Sequence, residues 1–475
     1  MIALAGMTAH QVAENSQTRG IAEFVSGLSY ERIPSEVIAR IKLLILDSLG
    51  CAIFGARLEW CEILRSTLAA VDTSKQCRVW GTDERLSAPH AALVNGTLVQ
   101  SFELDDVHRA GVLHVGAVTL PALIAAAEMR PGMSGRDFLR AAVAGYEIGP
   151  RVGLCMGPEH ISQGWHSGAT VGVFSAASGA AAALKLSADQ TVHALGIAGT
   201  QSAGLMAAQY GAMVKRMHAG RSSQSGLYGA LLAEKGFTGI VNVFESEYGG
   251  FCTTFSRSND RFRLQELTSG LAPGLGERWE TLGIALKFYS CVGSNHTTLD
   301  AIRTIQARRP FKPDDTAKIV VHGSKATVEH VGWPYEPQGV TSAQMNLPFC
   351  VGTLLAEGDV FVDQFSDAVV TDPRRIAIAN KVVVEHDPAI TARGARFRHM
   401  VRVEVHFTDG SRADETVEAP RGSEQKFASE ADVVDKFRKL TRGVLGDAGA
   451  GRIEEMVLGC DKLADVGPLL GALSK

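Results

Sequence analysis

The sequence predicts a mainly α-helical fold, made of a large all-helical domain and a smaller α+β domain. Apolar residues recur at helical spacing through the first half of the chain, where no convincing alternating strand appears. After about residue 264 the pattern changes to β-branched and alternating segments mixed with helices. Helical spacing returns at 429–445 and continues into the tail. We therefore assign residues 1–276 and 422–475 to the helical domain and residues 277–421 to the α+β domain.

Start signals and apolar spacing place several helices in the first half. Pro34 and Ser35 open an amphipathic helix, with Ser35 as its N-cap. Ser187 and Gln190 form a capping box, in which both side chains satisfy otherwise unpaired backbone N–H groups. Pro121 is expected to interrupt its helix early. The other predicted helices cover residues 91–102, 117–129, 134–148, 191–198 and 222–234.

Three strand patterns support the α+β domain. Residues 317–322 are rich in β-branched side chains, and residues 402–407 and 413–418 alternate between apolar and polar. Between the last two, Thr408-Asp409-Gly410 predicts a hairpin turn. Helices of the same domain are predicted at 297–307 and 342–357.

Composition argues against several classes of protein. The 475-residue chain has a net charge of −4 and no basic stripe for phosphate contacts, which argues against binding nucleic acid. The uncharged stretch 164–184 is long enough to cross a bilayer, but it consists mostly of Gly, Ala, Ser and Thr and contains His166. It is therefore expected to be a buried helix in a soluble core, with no contact to a membrane. Residues 1–19 lack the features of a signal peptide, which predicts a cytoplasmic protein.

The eight cysteines are predicted to be buried, reduced thiols. None belongs to a C-x-x-C pair, so no zinc ribbon or local iron–sulfur motif is present. Spacing alone leaves open an iron–sulfur cluster bound by cysteines that are far apart in the sequence. No group of ligands predicts a metal site, and no cofactor is expected.

Four separate segments combine proton-carrying or basic side chains with small residues. Small residues let backbones approach closely. Histidine has an unperturbed pKa of about 6.5, so it gives and takes protons near neutrality. The pattern predicts one positive pocket that holds an anion and performs acid–base chemistry. The segments are Glu103 to His108 with His114, the surroundings of His166, Lys215 to Arg221, and Lys287 to Cys291 with His296.

These segments, in their order and spacing, resemble the 2-methylcitrate dehydratase family, also called MmgE/PrpD, which includes cis-aconitate decarboxylase and iminodisuccinate epimerase. The resemblance covers nearly the whole chain, from the helix at Pro34 to the strands near Phe407. It implies that the α+β domain is a lid, that the site lies in the cleft beneath it, and that the protein is a homodimer. It also implies a small carboxylate substrate.

The family motifs map onto this sequence residue by residue. The acidic motif D-F-[ND]-D-T reads Glu103 to Val107 here, and the histidine of the family's His-Pro-Ser is His114. The family's glycine-preceded histidine corresponds to His166, and its lysine before His-Ala-Gly corresponds to Lys215. The lysine of its Lys-Pro-Tyr-Pro-Cys turn corresponds to Lys287. The resemblance implies a site built from His114, His166, Lys215 and Lys287, with the acidic motif alongside. We therefore predict the catalytic residues His114, His166, Lys215, Lys287, Asp105 and Asp106, and the substrate-binding residues Glu103, His108, His218, Arg221 and Tyr289.

Several positions near the predicted pocket depart from the family pattern. Glu103 stands where the family usually has Asp, and Val107 replaces a threonine. The Pro-Ser after His114 is absent, and His108 is an additional titratable group. These departures bear on the identity of the substrate more than on the general chemistry.

A structural role is the alternative for each candidate. Asp105 and Asp106 either take part in the chemistry, directly or by orienting a histidine or a lysine, or they cap or bond backbone amides and hold their loop. His218 and Arg221 are expected to support neighbouring groups, and His296 to cap or pack a helix. The remaining histidines lack chemical residues around them and are predicted to be structural or on the surface: His193, His322, His386, His399 and His406.

The sequence predicts a cofactor-independent lyase that acts on a small di- or tricarboxylate. A histidine removes the proton next to a carboxylate, basic side chains stabilise the resulting anion in a water-poor cleft, and a second acid protonates the departing hydroxyl. Closure of the lid brings Lys287 to the substrate. Dehydration or hydration is the leading reaction, whereas decarboxylation and epimerisation share the anionic intermediate and stay open. A binding protein without catalytic activity is the alternative outside the enzymes.

Overall fold

The fold is mainly α-helical with its larger sheet in the C-terminal half, which confirms the predicted fold class. The computed structural model describes residues 16–157, 159–256, 262–272 and 275–475. Most of the segment that was interpreted as lacking a signal peptide lies outside these residues. Within the part of the chain that is described, no helix has both the length and the apolar character needed to cross a membrane.

The N-terminal part consists of helices with short strand pairs between them. Its helices are α1 Gln17–Gly27, α2 Ser35–Gly55, α3 Glu59–Val71, α4 Ala88–Val99, α5 Val115–Met129, α6 Gly135–Met156, α7 Glu159–Ser162, α8 Ser167–Thr170, α9 Gly172–Ala183, α10 Ala188–Gly199, α11 Val214–Glu234, α12 Phe251–Phe255 and α13 Gln265–Thr268. Its strands are β1 Cys77–Arg78, β2 Arg85–Leu86, β3 Val107–His108, β4 Leu271–Ala272, β5 Leu275–Gly276 and β6 Ile284–Ala285.

The C-terminal part combines helices with longer strands. Its helices are α14 Gly293–Arg308, α15 Lys325–Val331, α16 Val340–Met345, α17 Leu347–Glu357, α18 Asp367–Val370, α19 Pro373–Ala379, α20 Pro388–Ala392, α21 Glu430–Leu458 and α22 Gly467–Ala472. Its strands are β7 Thr316–Gly323, β8 Val382–His386, β9 Val401–Phe407 and β10 Arg412–Val417.

The helices predicted in the first half of the chain are present, but two details of them were wrong. Pro34 rather than Ser35 occupies the N-cap position of α2, and no side chain caps this end. α5 continues through Pro121 to Met129. A proline removes only one N–H from a helix, and α5 is buried from Val115 to Ala127, so packing holds the helix together across the missing bond. The predicted capping box at the start of α10 is confirmed.

Small residues let the central helices pack with their backbones in contact. α9, which lies in the uncharged stretch, is buried along its whole length and packs against α5, α6 and α11, so the expected buried helix is confirmed. Where α4 meets α11, a Cβ on Gly220 would lie 2.0 Å from the carbonyl oxygen of Leu93. This close approach places α11, which carries Lys215 and His218, beside the loop that follows α4.

The sequence predicted a wholly helical first part, but this part also contains short strand pairs. β1 pairs with β2, β4 with β5, and β3 with β6. The β3–β6 pair is antiparallel and joins the acidic motif to the segment just before Lys287. Alternation over two residues is too short to recognise in a sequence, and the partner of β3 lies far along the chain.

The predicted α+β region contains a four-stranded sheet in the order β10-β9-β7-β8. β9 and β10 form the predicted hairpin, while β7 pairs antiparallel with β9 and parallel with β8. The sequence did not predict β8, because this edge strand has mostly exposed side chains and no clear alternation. The single helix predicted at 342–357 is divided into α16 and α17 at Asn346, whose side chain caps α17.

The C-terminal helix α21 returns to the first part of the chain and packs against α2. Lys436 on α21 forms a buried ion pair with Asp47 on α2, with 2.5 Å between Nζ and Oδ1. The same ammonium donates a hydrogen bond to the backbone carbonyl of Leu104 at 2.7 Å, which connects α21 to the acidic motif. The exact division of the chain into domains at 276/277 and 421/422 stays a prediction.

Candidate active site

A cavity of about 280 Å³ is lined by residues of both parts of the chain. Among its described lining residues, four are cations and one is a carboxylate, and histidines supply most of the other polar groups. Five of the residues predicted for the site meet here: Glu103, His114, His166, Lys215 and Lys287. The lining also contains Arg109, Arg398, Ser294, His296, His330 and His399.

Glu103 is the centre of the charge network. Its Oε1 bonds both Lys215 and Arg216, and Lys287 lies 3.4 Å from its Oε2. Burial alone would raise the pKa of Glu103, but these three cations hold it well below its usual value of 4.5. Glu103 also has φ +56°, a left-handed conformation that costs ~1–3 kcal/mol for a residue other than glycine. The surrounding structure therefore maintains a strained residue where the carboxylate meets the cations.

The position of Lys215 and Arg216 explains why they need this carboxylate. Both lie in the first turn of α11, where the helix dipole disfavours positive charge. Both are also buried. Burial lowers the pKa of Lys215 below its usual value of 10.5; Glu103 opposes that effect, and Arg216 adds to it. Glu103 thus stabilises two buried cations whose own helix would otherwise disfavour them.

His114 is oriented by a buried carboxylate. Asp105 Oδ2 lies 2.9 Å from Nδ1 of His114, and Asp105 is wholly buried. Because Nδ1 is engaged, Nε2 is the ring nitrogen that remains to exchange a proton with a molecule in the cavity. Lys287 lies 3.8 Å from the other oxygen of Asp105. Asp105 therefore contacts a histidine and a lysine of the cavity, which fits the chemical alternative for this residue.

Asp106 has a different environment and does not line the cavity. Its Oδ1 accepts a hydrogen bond from the backbone N–H of Gly116 at 2.8 Å, in the first turn of α5. Burial, and then the neighbouring Asp105, raise the pKa of Asp106 well above its usual value of 3.8. This geometry matches the second alternative for Asp106, in which it bonds a backbone amide and holds the loop.

His166 pairs with another histidine. Its Nδ1 lies 3.0 Å from Nδ1 of His218, so one of the two nitrogens donates and the other accepts. Burial, and then Lys215, lower the pKa of both rings, and that of His166 falls well below 6.5. Both rings are therefore neutral near pH 7. His218 touches the cavity only through His166, as expected for a supporting residue.

His108 lies outside the cavity lining, although the sequence placed it among the substrate-binding residues. Its Nδ1 accepts from the backbone N–H of Gly111 at 2.9 Å, so Nε2 carries the hydrogen and donates to Glu280 at 3.1 Å. The additional histidine therefore joins β3 to the segment before β6.

Tyr289 and Arg221 are also placed away from the cavity. The Tyr289 hydroxyl donates to Asp300 at 2.7 Å, and its ring is buried. Arg221 is exposed and bonds Gln224 on the same helix. Arg221 follows Lys215 by six residues, which places it about 240° around the helix from Lys215. Sequence proximity suggested a shared site, whereas the helical turn separates the two side chains.

The lining residues contributed around β9 and α15 were not predicted from the sequence. His399 was predicted to be structural or on the surface, but it is buried and lines the cavity with Arg398. Both precede β9 in a segment whose charges are typical of an exposed turn. Arg109 directly follows the acidic motif, and this position was the only sequence feature that could have indicated its place in the cavity. His330 also lines the cavity, and its flanking residues gave no indication of a site.

The lining suits an anion better than a metal ion. In the ranges that the structure describes, no three His, Cys, Asp or Glu side chains are grouped so that they could hold a metal. Lysine and arginine donate hydrogen bonds to carboxylates and do not ligate cations. The arrangement can bind carboxylates, supply a proton at His114 and accept one at His166.

Two family models match the chain. The MmgE/PrpD N-terminal domain matches residues 19–263, and the MmgE/PrpD C-terminal domain matches residues 289–462. The chain belongs to the MmgE/PrpD family. The resemblance drawn from the motifs is thereby confirmed. Lys287 lies in the segment between the two matched MmgE/PrpD regions, where the β3–β6 pair connects it to the acidic motif.

Several curated relatives of this MmgE/PrpD chain match it over most of its length. The cis-aconitate decarboxylase-like protein oryM of Aspergillus oryzae is 36% identical, over 97% of this chain and 98% of the relative. A cis-aconitate decarboxylase of Aspergillus terreus is 35% identical, over 97% and 96%. The human cis-aconitate decarboxylase is 27% identical, over 89% and 87%. Family membership and these relatives together indicate that the chain is a lyase.

Proposed function

We propose that this chain is a cofactor-independent carboxy-lyase that decarboxylates a small, unsaturated di- or tricarboxylate of the cis-aconitate type. The observation that carries the proposal is a cavity in which two histidines and two lysines meet beside one carboxylate: His114, His166, Lys215, Lys287 and Glu103. The activity named for the relatives supports decarboxylation as the reaction.

The charge of the cavity favours a substrate with several carboxylates. Its lining carries four cations against one carboxylate among the described residues. Hydrogen bonds between ionised partners are about twice as strong as neutral ones, and a site with little water strengthens them further. A polyanion therefore replaces water around cations that Glu103 compensates only in part.

Decarboxylation needs a place for an electron pair and a source of one proton. When the C–C bond breaks and CO2 leaves, the bonding pair stays on the substrate. In an unsaturated substrate, the pair moves through the double bond to the carbon beside a remaining carboxylate. Lys215 and Lys287 stabilise the charge that develops on that carboxylate. A proton added to carbon completes the reaction, so one carboxylate and one proton become CO2 and a C–H bond.

His114 is the group best placed to supply that proton. Asp105 holds its Nδ1, and a carboxylate in this position stabilises the protonated ring and orients it. His166 is neutral, because burial and Lys215 lower its pKa. It therefore serves as a hydrogen-bond partner for the substrate rather than as its acid.

Dehydration or hydration, which the sequence placed first, is the second candidate. The same groups would serve it, with His166 removing a proton and His114 protonating the leaving hydroxyl. Epimerisation would use the same anion. The activity named for the relatives favours decarboxylation over both.

Turnover of defined carboxylates tests the proposal. Purified protein is incubated with cis-aconitate, and with citrate as a hydroxylated substrate. Released CO2 and the proton NMR spectrum of the products are followed together. We expect CO2 and product in equal amounts from cis-aconitate. Loss of water from citrate without CO2 would replace decarboxylation by dehydration. Binding without turnover of either compound would support the non-catalytic alternative.

We also propose that the protein is a cytoplasmic homodimer. Large apolar side chains are exposed on α11 and just after it, including Val214, Tyr228, Leu232 and Phe237. Residues 214, 221, 228 and 232 lie near one face of this helix, so a second copy could cover them. All eight cysteines are buried and unpaired, which fits a reducing compartment. Sedimentation at micromolar concentration should show a dimer that Leu232→Glu weakens; a monomer alone would contradict the proposal.

A further inference from the structure

The cavity contains a pair of arginines that the mechanism above does not use. Arg109 follows β3 and Arg398 precedes β9, and both line the cavity. Nη2 of Arg398 donates to the backbone carbonyl of Arg109 at 3.1 Å. This contact brings two guanidinium-bearing residues together from the two parts of the chain.

Arg398 has more hydrogen-bond donors than the described residues satisfy. Its Nε donates to Nε2 of His399 at 3.2 Å, and its Nη2 to the carbonyl of Arg109. Of the five N–H groups of a guanidinium, three therefore have no acceptor among the described residues. No carboxylate of the described residues forms an ion pair with Arg398. Burial, and then Arg109, lower the pKa of Arg398 to about 10, so the cation lies in an environment that favours an incoming anion.

Arg109 is held in place but is only weakly compensated. Its Nη1 lies 3.3 and 3.4 Å from the two oxygens of Glu424, and its Nε is buried with no acceptor among the described residues. It lies in a turn closed by backbone hydrogen bonds between His108 and Leu113. Val112 in that turn has φ +52°, a strained conformation for a β-branched residue. The backbone at Arg109 is therefore fixed before a ligand arrives.

His399 cannot supply the missing negative charge. Its Nε2 accepts the hydrogen bond from Arg398, so any hydrogen of the neutral ring is on Nδ1. Burial, and then Arg398 and Arg109, lower the pKa of His399 well below 6.5. His399 is 8% exposed, and its Nδ1 has no partner among the described residues. It orients the Arg398 side chain without neutralising it.

His296 and His330 line the same cavity as the two arginines and the two lysines. Burial, and then Arg398 and Lys215, lower the pKa of His330 to about 4. Burial lowers the pKa of His296 to about 3, and Lys287 and Arg109 contribute to that shift. Each histidine is thus within electrostatic range of one lysine and one arginine of the same cavity. Arg109, Arg398, Lys215 and Lys287 all line one cavity of about 280 Å³, so a single small molecule can contact both pairs of cations.

We propose that Arg398 and Arg109 form a subsite for one carboxylate of the substrate, separate from the carboxylate that Lys215 and Lys287 contact. The subsite rests on the proposed function, because it assumes a substrate with more than one carboxylate. A planar guanidinium with free donors suits bidentate binding of a carboxylate. Two pairs of cations hold two carboxylates, which leaves a third carboxylate of a tricarboxylate able to depart as CO2.

Binding of an inert tricarboxylate tests the subsite without turnover. Propane-1,2,3-tricarboxylate has no double bond to accept the electron pair, and its dissociation constant is measured by calorimetry. We expect Arg398→Gln to raise the Kd about 100-fold, which corresponds to roughly 2.7 kcal/mol for a hydrogen bond between charged groups. Arg398→Lys keeps the charge but loses the planar guanidinium that binds a carboxylate through two N–H groups. Its Kd should therefore lie between those of the wild-type protein and Arg398→Gln. Arg396→Gln, the same change at an exposed arginine two residues away, should leave Kd unchanged.

Double variants locate the subsite. The losses from Arg398→Gln and Arg109→Gln should not add, because the two residues hold one carboxylate. The losses from Arg398→Gln and Lys215→Met should add more nearly, because these residues hold different carboxylates. Unfolding midpoints check that each variant is folded, and Arg398→Lys takes the place of Arg398→Gln if the latter is not.

The possible outcomes separate the subsite from the reaction. If the wild-type protein decarboxylates cis-aconitate but Arg398→Gln binds and turns over like Arg396→Gln, the subsite is wrong and the function stands. If no carboxylate is turned over but Arg398→Gln alone weakens binding, the subsite stands and the function is wrong. If the wild-type protein turns over cis-aconitate but does not bind the tricarboxylate, the subsite is wrong and the function stands. If it neither binds the tricarboxylate nor turns over cis-aconitate, both proposals fall.

Discussion

His114 and His166 line the same cavity, but the partners behind them are opposite in character. Asp105 lies 2.9 Å from Nδ1 of His114, whereas a second histidine, His218, lies 3.0 Å from Nδ1 of His166. A carboxylate stabilises a protonated ring, while a neutral ring does not. Burial and Lys215 add to the difference by lowering the pKa of His166. Two residues of one type thus have different hydrogen-bond partners, and the different proton roles proposed for them rest on this difference.

The largest expected effect comes from removing the carboxylate behind His114. Asp105→Asn keeps the size of the side chain but no longer stabilises the protonated ring or fixes its tautomer. We expect kcat to fall by about 10³–10⁴-fold, the scale known for such a change in a histidine–carboxylate pair. The matched change behind the other ring, His218→Gln, should cost about tenfold or less. Similar losses in the two variants would remove the distinction between the histidines.

A loss of about a hundredfold or more in kcat/KM is expected from Lys215→Ala and from His166→Ala, the scale of one charge-stabilising donor. The two losses should not add in the double variant, because both groups act on one transition state. Steady-state kinetics measure the losses, and circular dichroism checks the fold. Near-normal turnover in either folded variant would place the site elsewhere.

The acid side of the pH profile should respond to Lys215. A neutral His166 is required, so kcat/KM falls as the pH drops through the pKa of this ring in the free enzyme. Burial and Lys215 hold that pKa well below 6.5 in the wild-type protein. Without the lysine charge the pKa rises towards 6.5, so in Lys215→Met the loss of activity should begin at a higher pH. Lys215→Arg, which keeps the charge, is the control. An unchanged acid limb in Lys215→Met would mean that His166 does not determine it.

The smallest expected effect is that of a chelator. No group of three metal-ligating side chains occurs in the described parts of the chain, and each residue assigned a role acts through charge or proton transfer. We expect turnover of cis-aconitate to stay the same after dialysis against EDTA. Loss of activity that zinc or iron restores would contradict this prediction and the roles assigned to both histidines.

The local pattern of the sequence was enough for most elements and for the family. Apolar spacing predicted α2, α6 and α10, and alternation predicted the β9–β10 hairpin, because these patterns repeat within one element. The same information did not reveal β8, whose exposed edge position removes alternation, or the β3–β6 pair, whose strands are too short. The motifs placed Glu103, His114, His166, Lys215 and Lys287 in one site, and the structure brings them together.

The amino-acid sequence by itself determined which segments form the candidate site, since those segments are recognisable from residue type and spacing. Only the tertiary structure decided the partners: Asp105 behind His114, His218 behind His166, and Arg398 beside Arg109. It also placed His399 in the cavity. The physical reason is that burial and charge act through space. The pKa of a side chain depends on neighbours that come from anywhere in the chain, and no local pattern encodes them.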